Sequence, residues 1–280
     1  MKLKRNAFLC SVLLILSTHI ALSQGYKVKT IVIDAGHGGD KPGAAGSYSL
    51  EKNVTLQVAL KLGKKFEQEM PEVKIVYTRK TDVDVSLYRR PEIATAAKAD
   101  LFISIHCNSM PDHKVVTGYT KKNGRKVPKY SYVKNKTTSG VETFVAGSHR
   151  LNEQDGALRE NADISLEKDY KKNYDGYDPK DPETFIILSL FKNVYRDKSL
   201  KLARLIQNNY TRDNKRFDRG VKEQGILILQ RCGLPAVLTE IGFISNPAEE
   251  DYINSASGQA EIVNAIFKAV KTYKRETEVN

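Results

Sequence analysis

Short apolar runs alternate with segments of helical periodicity along most of this 280-residue chain. This alternation is typical of a largely parallel sheet with helices on both faces. The predicted strands are 29–34, 74–78, 101–105, 141–145, 226–229 and 235–239. The predicted helices are 51–70, 87–98, 184–210 and 258–274, with a helix start at 246–249. We therefore expect one α/β domain with a mostly parallel, twisted sheet of about six strands.

The N-terminus has the features of a secretory signal peptide over residues 1–23. Three basic residues precede an apolar run over 7–22, and small residues stand before the expected cleavage point. A membrane anchor is the weaker alternative, because the run is short and contains polar residues. Residues 24–280 are thus expected to form the exported mature domain, in the periplasm or outside the cell, with no transmembrane span.

The net charge of the chain indicates which kind of partner such a domain would bind. The chain has 45 Lys and Arg against 33 Asp and Glu, a net charge of +12. An excess of this size favours a polyanionic partner, and export makes nucleic acid the least expected one.

After the signal peptide only two cysteines remain, Cys107 and Cys232. Two buried thiols are favoured over one disulfide bridge, which stays an alternative.

Two insertions interrupt the α/β pattern. Residues 112–140 are rich in Lys and have no acidic residue after Asp112, so they are predicted to form an exposed basic loop. That loop is either simply solvated or in contact with an anionic wall polymer.

The second insertion, 147–183, is polar and rich in Asp, Lys and Tyr. Within it Leu151 and Leu158 are seven residues apart, and Glu153 and Glu160 follow at the same spacing. This spacing predicts a short helix with one weak apolar edge.

Three predicted strands lead to a group that can bind metal or move a proton. The first leads through two residues to His37, the 101–105 strand leads to His106, and the 235–239 strand leads to Glu240. Ligands of open α/β sheets bind beyond the carboxyl ends of the strands, so these groups are expected to converge. Glu51, at the start of the first predicted helix, lies at the same edge.

Two imidazoles and one carboxylate form a common ligand set for catalytic zinc, so His37, Glu51 and His106 are the predicted metal ligands. The glycines at 36, 38 and 39 would let the backbone approach the ion closely. Glu240 is placed to shuttle a proton. Each residue alone has a structural alternative, such as a hydrogen-bonded His, a carboxylate at a helix dipole, or a carboxylate paired with Lys.

The sequence lacks the motifs that mark several other classes of hydrolase and nucleotide-binding protein. It has no HExxH motif, no Walker A motif, no GxGxxG motif and no GxSxG motif. Cys107 adjoins His106, but neighbouring strand residues point to opposite faces, which argues against a Cys/His nucleophile.

Seven ordered motifs cover residues from about 29 to 275, apart from the two insertions. They are IVIDAGHGG with GAAG, EKNVTLQVALKL, YTRKTDVDVSLYRR, ADLFISIHCNS, GVETFV, DRGVKEQGILIL and PAVLTEIGFISNPAEEDYI. They resemble the zinc-dependent N-acetylmuramoyl-L-alanine amidases, exported enzymes that cut stem peptides from the peptidoglycan glycan. The resemblance implies Zn²⁺ held by His37, Glu51 and His106, catalysis by Glu240, and a further pocket carboxylate at Glu142.

The resemblance also implies a substrate and a form of regulation. The substrate would be the amide between N-acetylmuramic acid and L-alanine, cut during wall remodelling or cell separation. Some relatives hold a helix across the zinc cleft until a protein activator displaces it, and the 147–183 insertion falls where such a lid would lie. A peptidase or deacetylase on the same zinc site and a wall-binding module without chemistry remain alternatives.

Overall fold

The computed structural model describes residues 26–133, 135–147, 154–168, 170–174 and 194–278. The predicted signal peptide, Leu151, Glu153 and the first part of the predicted 184–210 helix lie outside these described residues. No helix in the described part of the chain is long and apolar enough to cross a membrane.

Eight strands and eight α-helices are found in the described residues. The strands are β1 Thr30–Ala35, β2 Lys74–Tyr77, β3 Leu101–Asn108, β4 His113–Lys122, β5 Arg125–Val133, β6 Val141–Ala146, β7 Asp218–Gln224 and β8 Ala236–Phe243. The helices are α1 Glu51–Glu69, α2 Arg89–Ala96, α3 Asp155–Asn161, α4 Tyr170–Asn173, α5 Arg196–Arg212, α6 Leu227–Gln230, α7 Pro247–Asn254 and α8 Ala256–Glu278. A 3₁₀ turn over Ala162–Leu166 follows α3.

Six strands form one sheet in the order β2-β1-β3-β8-β6-β7. The pairs β2–β1, β1–β3, β3–β8 and β6–β7 are parallel, and only β6–β8 is antiparallel. The predicted single α/β domain with a mostly parallel sheet of six strands is therefore confirmed. The central strands β1, β3 and β8 are buried along their whole length, as strands covered on both faces must be.

Helices cover the two faces of the sheet and build two apolar layers. One layer is formed with α1, α5 and α8, and includes Val58, Leu62, Ile206 and Ile266. The other layer is formed with α2, α6 and the 154–174 segment, and includes residues such as Phe102. Because both faces are closed by helices, the polar groups of the sheet are accessible only at its strand ends.

One predicted strand was wrong, and one strand of the sheet was not predicted. The apolar run 226–229 is not a strand, because Leu227–Gln230 forms the short helix α6, whose three apolar residues are buried. The strand of this region is the preceding polar stretch Asp218–Gln224 at the edge of the sheet. An edge strand is paired on one side only, so it does not need the continuous apolar run that marks a central strand.

The basic segment 112–140 was predicted as a loop, but most of it forms the antiparallel hairpin β4–β5. Asn123 and Gly124 at its tip have φ values of 51° and 73°. Positive φ at both central residues is the requirement of the two-residue turn that fits the twist of a hairpin, and Asn-Gly is its preferred sequence. The predicted exposure of the segment is correct.

Candidate metal centre and active site

The predicted site residues meet at one edge of the sheet. His37 lies two residues beyond β1, His106 is near the carboxyl end of β3, and Glu240 is in β8. His106 and Glu240 are register partners on neighbouring parallel strands. Glu142, near the start of the antiparallel β6, is the register partner of Glu240 on the other side. The topology therefore brings together three strand-end groups and adds Glu142 from a strand of opposite direction.

Four side chains place nitrogen and carboxylate oxygen atoms within 4.8 Å of one another: His37, Glu51, His106 and Glu160. Glu51 reaches both imidazoles, with Oε2 3.2 Å from Nε2 of His37 and Oε1 3.1 Å from Nδ1 of His106. Glu160 Oε2 lies 2.7 Å from Nδ1 of His106 and 3.9 Å from Nε2 of His37. The group is buried, and each side chain is at most 8% exposed.

The contacts within this cluster are short, but three of its atoms make no hydrogen bond to any described residue. These atoms are Nε2 of His37, Nδ1 of His106 and Oε2 of Glu160. Buried polar atoms are normally hydrogen-bonded, so three unpaired ones at the same place call for an explanation. Two imidazole nitrogens beside carboxylate oxygens fit a divalent cation such as zinc, which takes these donors in place of hydrogen bonds.

The backbone around His37 is shaped for this close approach. His37 has a φ of 56°, in the left-handed region that non-glycine residues seldom adopt. A Cβ atom on Gly36 would lie 2.5 Å from the His106 imidazole, and one on Gly43 would lie 2.6 Å from Glu51 Oε2. Of the predicted glycines, Gly36 thus faces the cluster, whereas those at 38 and 39 pack on residues 79–84.

A buried polar network fixes the chain on either side of His37. Arg90 donates hydrogen bonds to the carboxylate of Asp34 and to the backbone carbonyl oxygens of Ala35 and His37. Arg79 donates to the carbonyl oxygens of Ala35 and Gly36. The Asp34 carboxylate also accepts from two hydroxyl groups. Arg90 and these hydroxyls keep the pKa of Asp34 below its usual value although burial acts to raise it.

Glu51 is the first residue of α1, and hydrogen bonds fix its carboxylate. Oε2 accepts from the backbone N–H of Ala44 at 2.7 Å, and Oε1 accepts from the backbone N–H of Cys107 at 2.9 Å. Burial acts to raise the pKa of Glu51, but His37 and His106 outweigh it and hold the pKa well below the usual value. Glu51 is therefore ionised, as a metal ligand must be.

Glu240 is completely buried and has a different environment. Burial raises its pKa to about 8, although the guanidinium of Arg159 opposes this shift. One of its oxygens pairs with Arg159 at 2.5 Å, and the other has no hydrogen bond to a described residue. A carboxyl group that titrates near neutral pH can both accept and donate a proton under working conditions.

Glu142 lies beside Glu240 but has more polar partners. Its carboxylate accepts hydrogen bonds from the amide of Asn108 and the ammonium group of Lys222. The guanidinium of Arg219 is 3.8 Å away. These contacts fit a positioning role better than that of a proton shuttle.

The 154–174 segment closes the site from the side opposite the sheet. Arg159 of α3 pairs with Glu240 and donates to Oδ1 of Asn108 at 2.7 Å, and the next residue is Glu160 of the metal cluster. Asp163 in the 3₁₀ turn lies 2.7 Å from Nδ1 of His37. Glu167 accepts hydrogen bonds from Lys41 at 2.8 Å and from the backbone N–H of Leu87 at 3.0 Å.

The charges of this segment change the protonation of the cluster. Burial acts to lower the pKa of His37, but Glu51 and Asp163 outweigh it and raise the pKa to about 9. Burial acts to raise the pKa of Glu160, but His106 and Arg159 lower it to about 2. Without a metal, the cluster therefore holds protons on its imidazoles at neutral pH.

The sequence interpretation placed Glu160, together with Glu153, in the expected lid over the zinc cleft and not among the metal-binding groups, and it missed Arg159 and Asp163 as neighbours of the site. No spacing relates them to His37, since the hydrogen bond between His37 and Asp163 spans 126 residues. The one available signal was the pair of charged residues Arg159-Glu160 in a segment that follows a strand of the sheet.

Both cysteines are buried and unpaired. Cys107 packs in the layer of α1 and α8, on the side of β3 opposite the metal cluster, as strand alternation predicts. Cys232 lies in the other layer, so the alternative of a bridge between them is not realised. Burial raises the pKa of both thiols well above the usual value, which makes them inert.

The fold and this cluster define an α/β protein with a His/Glu metal-type site at the carboxyl edge of its sheet. A family model described as N-acetylmuramoyl-L-alanine amidase matches residues 31–272. The chain belongs to this family.

Individual relatives agree. The chain is 26% identical over 244 residues to the N-acetylmuramoyl-L-alanine amidase AmiC of Escherichia coli O6:H1, covering 87% of this chain but only 52% of AmiC, so it spans about half the length of that relative. A Buchnera aphidicola subsp. Baizongia pistaciae protein with the same amidase name is 32% identical over 87% of this chain and 95% of its own length. The crystal structure of an amidase from Clostridium difficile 630 covers 88% of this chain and 97% of its own with a TM-score of 0.59 and 25% identity.

Proposed function

We propose that this protein is a zinc-dependent N-acetylmuramoyl-L-alanine amidase that hydrolyses the amide between N-acetylmuramic acid and L-alanine in peptidoglycan. The observation that carries this proposal is the convergence of His37, Glu51 and His106 beside the buried Glu240 in a chain of the amidase family. The +12 net charge agrees with an anionic polymer as substrate.

His37, Glu51 and His106 would hold the metal, because their donor atoms converge and two of these atoms have no hydrogen bond to a described residue. Zinc bound there would polarise the scissile carbonyl and make the attacking water more acidic. The hydrogen bonds of Ala44 and Cys107 to Glu51 keep that carboxylate in place, and Asp163 orients the His37 ring.

Glu240 would act as the general base and then as the general acid. It accepts a proton from the attacking water and delivers it to the leaving nitrogen of the stem peptide. A pKa of about 8 suits both steps, since the group changes protonation state near the working pH. Glu142 would position the substrate or its neighbour Asn108.

The test of this proposal is digestion of purified peptidoglycan with and without a zinc chelator, followed by product analysis. We expect release of intact stem peptides that begin with L-alanine. Glu240→Gln should lower the turnover rate by about a thousandfold while leaving zinc content unchanged, as loss of general acid–base catalysis does. Glu142→Gln is the neighbouring comparison and should cost less. Cleavage within the stem peptide, or normal turnover by Glu240→Gln, would contradict the assignment.

We further propose that the 147–183 insertion is a lid that limits access to the metal. Zinc in a hydrolase keeps one position for water, and Glu160 lies where it would take that position. Arg159 pairs with Glu240 on the same side. The segment would thus fill the open position of the metal with Glu160 and pair the proton shuttle with Arg159, so it would have to move before substrate could be cut.

Two kinds of variant test the lid. Deleting residues 150–178 should raise turnover on purified peptidoglycan with the fold intact. Glu160→Ala should raise turnover several-fold, and Asp155→Ala is its matched control because Asp155 is an exposed carboxylate on the same helix. Unchanged or lower turnover in both the deletion and Glu160→Ala would count against a lid.

A protein activator that displaces the lid is part of this proposal. So is export, with residues 1–23 as a signal peptide and residues 24–280 as the catalytic domain in the periplasm or outside the cell. N-terminal sequencing of the protein recovered from its native cells tests the cleavage point directly.

A further inference from the structure

The hairpin β4–β5 lies next to the proposed active site and has no role in it. It begins five residues after Asn108 and leads back to Glu142 at the same edge of the sheet. Its side chains are exposed on both faces of the two strands. A two-stranded hairpin of this kind buries little apolar area on its own, so its composition reflects what it meets outside the domain.

The register separates two faces of the hairpin, because cross-strand partners share a face and alternate residues change face. The tyrosine face has Lys114, Tyr119, Lys121, Lys126, Tyr130 and Tyr132. The valine face has Val115, Lys122, Arg125, Val127, Lys129 and Val133. Each face therefore carries three cations, but only one of them carries aromatic rings.

The three tyrosines are open to solvent. Tyr119 is 58% exposed, Tyr130 is 48% exposed and Tyr132 is 66% exposed. Two lysines are held against the rings, with the Nζ atom of Lys114 3.9 Å from the ring centroid of Tyr130 and that of Lys126 4.4 Å from the ring centroid of Tyr119. Ring and cation thus form preformed pairs with few free rotamers left to lose on binding.

The hairpin is strongly basic. It has six Lys and Arg residues and no carboxylate between residues 113 and 133. None of these six cations forms an ion pair with a residue in the described ranges of the chain. Unpaired cations in a row attract a polyanion and lose that attraction in salt.

We propose that the tyrosine face of the hairpin binds the peptidoglycan strand next to the amide that is cut. Tyrosine rings would pack on the apolar C–H faces of the sugar rings, and Lys114, Lys121 and Lys126 would pair with carboxylates of the stem peptides. Aromatic rings combined with cations fit a glycopeptide better than a purely anionic polymer, which would use both faces equally. This inference rests on the proposed amidase function, which makes peptidoglycan the polymer at the site.

The test is co-sedimentation of the full-length protein with insoluble peptidoglycan that has been stripped of accessory anionic polymers, in chelator so that nothing is cut. Tyr119→Ala/Tyr130→Ala/Tyr132→Ala should weaken binding about tenfold, as the loss of several aromatic contacts does. Its matched control is Val115→Ala/Val127→Ala/Val133→Ala on the other face, which should bind normally.

The charge arm uses two triple variants with equal loss of charge. Lys114→Gln/Lys121→Gln/Lys126→Gln should weaken binding and its salt dependence more than Lys122→Gln/Arg125→Gln/Lys129→Gln does. With zinc restored, the Val115→Ala/Val127→Ala/Val133→Ala control should cut a short soluble muropeptide at the normal rate, because the valine face contributes no group to the metal cluster or to the proposed binding face.

Equal loss of binding from both faces would overturn the proposal in favour of general charge attraction. Binding that requires the accessory polymers would overturn it in favour of those polymers. A protein that cuts no muropeptide but still sediments through its tyrosine face would disprove the amidase function and not the binding face, so the two failures are distinguishable. Unchanged melting temperatures show that the variants are folded.

Discussion

The two halves of the proposed metal site are built in different ways. The sheet half consists of His37, Glu51 and His106, held by buried strands and by the Asp34–Arg90 network. The half formed by the 154–174 segment contributes Glu160 from a seven-residue helix and Asp163 from a 3₁₀ turn. The sheet half has a rigid geometry, whereas the other half lies on short elements that can open at lower cost.

The sheet half is also surrounded by more buried apolar residues than the half formed by the 154–174 segment. Around the sheet half, the central strands are buried over their full length. The 154–174 segment has three buried apolar residues, Ala157, Ile164 and Tyr174, while Leu158 and Leu166 are exposed. Its attachment is therefore mostly polar, through Arg159 and the carboxylates that meet the site, and through hydrogen bonds of Gln154 and Asn161 to backbone groups of residues 225–227. Stability and access to the site are thus controlled by separate parts of the chain.

The largest effect is expected from breaking the network under the sheet half. Arg90→Met should lower the free energy of unfolding by about 3–5 kcal/mol, because the fully buried Asp34 carboxylate loses its charged partner. Chemical denaturation measures this change. Arg89→Met next to it is the control, since Arg89 is exposed and, among the described residues, makes a surface pair with Glu92, and it should cost less than about 1 kcal/mol. Equal losses in the two variants would mean that the network does not hold the sheet half.

The pH dependence of zinc affinity measures how strongly both halves act on His37. Glu51, Glu160 and Asp163 all face this imidazole and, against burial, raise its pKa to about 9 in the metal-free protein. Zinc must displace that proton, so affinity should rise with pH up to about 9, by about tenfold per pH unit for each proton released. Competition with a chromogenic chelator measures it.

The same pKa shifts predict how the free energy of unfolding of the metal-free protein changes with pH. The folded metal-free protein binds protons on His37 and Glu240 that the unfolded chain has released, so its free energy of unfolding should fall as pH rises from about 6.5 to 9. Saturating zinc should remove the part due to His37. Affinity independent of pH over this range would contradict the assigned protonation of the cluster.

The smallest effect on global stability is expected from a substitution in the 154–174 segment. The same substitution should still change activity clearly. Ile164→Ala removes one of its few buried apolar contacts and should raise turnover several-fold, with little change in the main unfolding transition. Leu166→Ala, in the same 3₁₀ turn but 67% exposed, should change neither. A large fall in melting temperature for Ile164→Ala would show that the segment is part of the core and not a lid.

Most of the sheet and the sheet half of the site could be predicted from sequence. Buried parallel strands require continuous apolar runs, and their carboxyl ends must share an edge, so His37, His106 and Glu240 were predictable from position. The edge strand Asp218–Gln224 was not, because a strand with one free side and mostly polar residues has no such run. The apolar run at 226–229 is equally compatible with a buried helical turn, which is what forms.

The sequence did not predict the hairpin or the second half of the site, and the reasons differ. The hairpin had a local signal, since Asn123-Gly124 lies between stretches rich in Val and Tyr, and the excess of Lys hid it. Arg159, Glu160 and Asp163 had only a weak local signal, the charged pair Arg159-Glu160 in a segment that follows a strand. Their role depends on where a long insertion folds back, and that is fixed by contacts between residues far apart in sequence.

The hydrogen bond between Asn108 and Glu142 joins the last residue before the hairpin region to the first strand after it. The two ends of the stretch 109–140 are therefore connected to each other through Asn108 and Glu142 at the edge of the sheet that carries the site. We expect that the exposed hairpin 113–133 could be shortened or exchanged with little effect on the metal cluster, because none of its side chains belongs to that cluster. The hairpin would then be a part of the chain that can vary while the geometry of the metal cluster is kept.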